Sequence, residues 1–118
     1  MRQKKSSFSV VCTTLAKRTD AFKMANAILQ ARLAACAQIT RIHSVYHWQA
    51  KIHSAPEYLL QFKTHVALVP ELMKFIKKHH PYQVPEIVAL PMKAIDTDYA
   101  NWIVAETKPR KAKNEIKC

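Results

Sequence analysis

The chain has 118 residues, 49% of them hydrophobic and 23% charged, which suits one domain whose core closes without disulfides or a structural metal. It contains no glycine, and that excludes a Walker loop, a dinucleotide fingerprint and a nucleophile elbow, each of which needs glycine at a sharp turn or beside a phosphate. The same absence argues against a tight Asn-Gly hairpin, so any hairpin is expected to have a longer or differently built loop. The formal net charge is +11, but residues 8–107 carry only +4 of it; residues 1–7 and 108–118 read as flexible basic tails around a single domain over 8–107.

Phe8 to Thr14 is rich in β-formers and predicts a first strand. A helix follows, capped by Thr19 or Asp20, with Phe22, Ala25, Ile28, Leu29, Arg32 and Leu33 at helical spacing. From Ala37 to Trp48 the pattern alternates with period two, predicting an unusually long strand. Residues 49–56 then predict a loop, and Glu57 to Thr64 a third strand with Tyr58, Leu60 and Phe62 on one face.

Pro70 can open a helix without losing a hydrogen bond, and Leu72, Phe75, Ile76 and His79 recur along one stripe. Pro81 ends that helix by forcing His80 into extended geometry. Ile87 to Leu90 is apolar on both faces, as a central strand would be. A last helix starts at Asp96 or Thr97, runs to Glu106 and buries Tyr99, Trp102 and Ile103. The order β-α-β-β-α-β followed by a helix predicts an α+β fold, the ferredoxin-like split βαβ sandwich with an additional C-terminal helix.

Few residues offer chemistry. Ser, Cys and His side chains are present without a recognisable nucleophile, base and oxyanion-hole signature, which argues against a hydrolase. The acidic residues are scattered, apart from Asp96 and Asp98 at a helix start, where capping explains them. Cysteines at 12, 36 and 118 contain no CxxC pair, so a reducing compartment is the simpler expectation. Arg2, Lys4 and Lys5 before an apolar run superficially copy a signal peptide, but the alternation within the run suits a strand, and no stretch is long enough to span a membrane. Tyr46-His47-Trp48 suggests an RNA-binding sheet, yet Glu57 to Thr64 lacks the glycine-aromatic core such a sheet needs, so no specific nucleic-acid partner is expected. Cys12, His79 and His80 are donors that suit copper and, less selectively, zinc, while magnesium and calcium prefer oxygen. Since His79 continues an apolar stripe, its removal is expected to cost stability as well as metal affinity, and removal of His80 affinity alone.

Arg32-Leu-Ala-Ala-Cys36, Ser44-Val-Tyr-His-Trp48, Glu57 with Lys63-Thr64, His80-Pro-Tyr-Gln-Val-Pro-Glu86 and Tyr99-Ala-Asn-Trp102 together resemble the CutA divalent-cation-tolerance family in order and spacing, over about residues 8 to 107. The resemblance implies a small cytoplasmic protein without catalytic activity, a ferredoxin-like fold, a tight homotrimer related in architecture to the PII proteins, and a link to copper tolerance. It also implies Cys12, His79 and His80 as copper ligands. The alternative it leaves is a PII-like trimer that takes a small molecule or a partner protein at its intersubunit clefts. One departure stands out: Ala50 occupies a position where the family usually has glycine, so the turn there is expected to be rebuilt or strained.

Overall fold

The computed structural model describes residues 7–109. In chain order the elements are β1 (Phe8–Leu15), α1 (Arg18–Gln30), β2 (Cys36–Trp48), β3 (Lys51–His65), a short 3₁₀ turn (Val66–Leu68), α2 (Val69–His79), β4 (Ile87–Pro91) and α3 (Thr97–Glu106). The four strands form one antiparallel sheet in the order β2-β3-β1-β4, with α1 and α2 packed on one face. The expected split βαβ arrangement is therefore present.

Strand alternation sorts the side chains between the faces. Val11, Leu15, Leu60 and Phe62 point into the core with Ala21, Met24, Ala25 and Ile28 of α1 and Leu72 and Ile76 of α2. Cys12 alternates with Val11 and so lies on the face away from α1 and α2. On that second face α3 approaches the sheet, Tyr99 touching Cys36.

Helix α1 corrects the sequence reading in three ways. It starts at Arg18, with Lys17 as an N-cap that makes no side-chain cap, and Asp20 sits in its first turn. Its buried stripe is Ala21, Met24, Ala25 and Ile28, while Phe22 is 42% exposed beneath the Arg18 guanidinium. Arg32 is not part of the helix. The N–H of Arg32 donates to Leu29 O and that of Leu33 to Ile28 O, the paired bonds of a Schellman end. Arg32 takes the left-handed position at φ 57°, where glycine is the usual residue. Its guanidinium then donates to Glu106 O at 2.9 Å, and its carbonyl accepts from the Lys108 N–H. Lys108, assigned to the tail by composition, is also tied to Glu71 by its ammonium at 2.8 Å, and Ser7 O accepts the Val66 N–H; residues 1–6 and 110–118 of the two expected tails lie outside the described residues.

Strand β3 begins at Lys51, not at Glu57, so the expected loop 49–56 is mostly strand. The misleading signal was Pro56. It pairs with His43 of β2 on one side, and β1 reaches only Tyr58 to His65 on the other, so the missing N–H of Pro56 falls on an edge without a neighbour. The turn is a two-residue one, Trp48 pairing with Lys51 across Gln49 and Ala50 at φ 52° and 64°. Positive φ at both central positions is the type I′ pattern, here made without glycine: of the expected longer or differently built loop, the structure has the second. Each such residue costs about 1 kcal/mol. The double replacement Gln49→Asn, Ala50→Gly should therefore raise stability by about 1 kcal/mol after the added flexibility of glycine in the unfolded chain is subtracted. Urea unfolding checks this, and an unchanged or lower midpoint would show that neighbouring contacts hold the turn at no cost.

Among the described residues strand β4 pairs with β1 alone, as an edge strand and not a central one. Val88 and Leu90 are consequently exposed on the second face. In α3, Asp96 caps the helix by accepting the Tyr99 N–H, and Ile103 is buried as expected, but Tyr99 and Trp102 stack on each other at the surface.

Candidate metal and cleft site

The segment 80–86, the end of β1 and the middle of β3 build a partly buried polar cluster. Pro81 forbids helical geometry at the preceding residue, and His80 accordingly leaves α2 at φ −85°, ψ 133°. Its ring turns to β1, Nε2 donating to Thr14 O at 2.8 Å while Nδ1 accepts the Tyr82 N–H at 3.2 Å. Tyr82 packs edge-on against that ring and donates its hydroxyl to Glu57 Oε2 at 2.6 Å. Glu57 is 9% exposed, a carboxylate held under the 80–86 segment by one short bond.

Burial, first, pushes the His80 imidazole below its ordinary value, with the Thr14 carbonyl and the Glu57 carboxylate pulling the other way. Burial and then the bond to Glu57 push the Tyr82 hydroxyl well above the usual tyrosine range. Both groups are thus favoured in their neutral forms, which is what their bonds require.

Cys12 lies between Gln61 of β3 and Val88 of β4 in the register. Burial raises its thiol, the Gln61 side chain opposes the rise, and Glu86 adds to it. A soft metal binds the thiolate, so this environment works against it. His79 is elsewhere. It is exposed on α2, donates Nδ1–H to Phe75 O at 2.9 Å, leans on the Phe75 ring, and lines a cleft of about 260 Å³ between the two helices with Leu15, Asp20 and Lys23.

The three sequence-predicted ligands are therefore not brought together within one subunit. Cys12 and His79 lie on opposite sides of the sheet, and His80 has both ring nitrogens in use. Among the described residues, no group of three or more His, Cys, Asp or Glu side chains is placed to hold a metal ion. In one subunit the donor set does not fit a three-ligand centre. The stability expectation also reverses: His80 makes the tertiary bonds, and His79, despite its place in the stripe, bonds within its own helix.

Sequence reasoning missed the Glu57–Tyr82 pair, whose partners are 25 positions apart, and the Thr64 hydroxyl that donates to Leu33 O at 2.7 Å in the core. Their signal was present only as motif letters, without a register to join them.

Fold and site together define a ferredoxin-like sandwich with a long β-ribbon and a clasped His-Pro-Tyr segment. The family model for the CutA1 divalent ion tolerance protein matches residues 9–106, and the chain belongs to that family. It is 38% identical over 98 residues to Protein CutA of Mus musculus, covering 82% of this chain and 55% of that protein. To the divalent-cation tolerance protein CutA of Escherichia coli it is 38% identical over 104 residues, 87% of this chain and 92% of the relative. The chain thus spans about half the length of the mouse protein and nearly all of the bacterial one. Among solved structures, CutA from Synechococcus elongatus superposes with a TM-score of 0.85 at 31% identity, covering 90% of this chain and 95% of that one. The divalent cation tolerance protein from Thermus thermophilus gives 0.81 at 37% identity over 86% and 99%.

Proposed function

We propose that the protein serves divalent-cation tolerance as a non-catalytic cytoplasmic homotrimer that contacts copper and, less selectively, zinc. The observation that carries the reading is the family match across nearly the whole described fold, together with the bacterial relative being a divalent-cation tolerance protein. Assembly is supported by surface that a lone subunit leaves uncovered. Among the described residues the ribbon of β2 and β3 beyond Glu57 has a bare strand edge on each side, with Val45, Tyr46, Trp48 and Ile52 exposed, and Val88 and Leu90 are exposed on β4. Two-stranded ribbons of this kind are marginal in water and invite pairing with another chain. The compartment rests on Cys12 and Cys36, both free thiols. Among the described residues no helix is long and apolar enough to cross a membrane.

Because Cys12, His79 and His80 do not assemble in one subunit, metal contact is proposed through exposed imidazole, with any fuller donor set supplied between copies. A second reading, a small ligand or partner held between subunits, is favoured by the partly buried Glu57–Tyr82 pair beside the exposed β2–β3 ribbon. Copper titration of chelator-treated protein, with mass followed by light scattering, tests both. Expected are a three-chain mass and binding that weakens in acid, because the ligands must be deprotonated to take the metal. A stable folded monomer at micromolar concentration would remove the trimer, and absence of copper and zinc binding would leave the second reading.

A further inference from the structure

We propose that His80 is a clasp and not a metal ligand, and that in the His79-His80 pair the atom open to a cation is Nε2 of His79. The second half rests on the cation reading above; the first does not. A neutral imidazole has one N–H and one lone pair, and the surroundings of His80 use both. Thr14 O can only accept, so Nε2 carries the proton; the Tyr82 N–H can only donate, so Nδ1 supplies the lone pair. A cation at Nδ1 would have to displace the Tyr82 amide, and one at Nε2 would have to displace a proton and meet a carbonyl in its place. The consequences reach further than one ring. His80 fixes the end of α2 to the end of β1, and Tyr82, set by that ring and its amide bond, reaches Glu57 on β3. Two residues thus join three elements of the fold at the start of the segment that leads into β4.

His79 is one residue away and differs in each respect. Phe75 O can only accept, so Nδ1 of His79 carries the proton and Nε2 keeps its lone pair. The ring is exposed at the cleft between α1 and α2, and its bond lies within its own helix, so occupancy of Nε2 leaves that bond intact.

The test uses the intact chain and imidazole proton–nitrogen correlation spectra, first without metal and then with zinc chloride as the diamagnetic probe. Without metal, His80 should show the Nε2–H tautomer alone and His79 the Nδ1–H tautomer. Zinc should shift Nε2 of His79 and leave His80 unmoved. His79→Ala should lower zinc affinity at least roughly tenfold, the loss seen when only a partner of a ligand is removed, with the melting temperature nearly unchanged. His80→Gln should do the reverse, keeping zinc affinity within about twofold while melting a few degrees lower. If that variant fails to fold, the spectrum of the unmodified chain still decides. A mixed or Nδ1–H tautomer at His80, or a zinc-induced shift there, overturns the clasp. Zinc that moves no histidine overturns the His79 half and counts against the cation reading, while the metal-free spectrum alone settles the clasp.

Discussion

Phe62→Ala should cost about 3–5 kcal/mol of stability, and Phe22→Ala less than about 1 kcal/mol, the range of an exposed ring under a cation. Both phenylalanines look like core residues by hydropathy. Phe62 has no exposed surface, and its strand neighbours are Val11 on one side and Ala37 on the other, so its removal leaves a cavity that rigid sheet backbone cannot close. Phe22 is 42% exposed, and Arg18 lies 4.6 Å above its ring. Urea unfolding of both variants at one protein concentration makes the comparison, the concentration being fixed because assembly would add to apparent stability. Equal losses would mean that α1 is rotated from the position described.

Tyr82→Phe should cost about 1–3 kcal/mol, since it removes the donor from a buried carboxylate and leaves Glu57 without that bond. The Tyr82→Phe, Glu57→Gln double variant should lose clearly less than the two single losses added together, because both act on one contact. Thermal unfolding of the three variants gives the coupling. Strict additivity would show that the hydroxyl and carboxylate do not hold each other.

Much of this fold was legible in the chain. The alternation of Ala37 to Trp48 and of Tyr58, Leu60 and Phe62, the proline at the start of α2, the stop at Pro81 and the Asp96 cap each act within a few residues, and each reappears in the structure. Readings failed where a residue's neighbour came from afar. Pro56 looks like a loop until β1 is seen to stop short of it, and Ile87 to Leu90 looks central until the sheet is found to end there. Without glycine in the chain, Arg32, Gln49 and Ala50 take positive φ because the contacts around them outweigh about 1 kcal/mol apiece.

The candidate site divides in the same way. By itself the sequence determined the donor inventory: a cysteine on the first strand, two adjacent histidines and a proline that sends the second in a new direction, since Pro81 acts on His80 through a single peptide bond. Only the tertiary structure decided which donors are available. The period-two alternation of β1 puts Cys12 on one face of the sheet while α2 holds His79 on the other, and the carbonyl of Thr14, 66 positions from His80, occupies the imidazole that the sequence had left open. Local geometry is encoded residue by residue, but whether a lone pair is free depends on a partner that only the closed fold delivers.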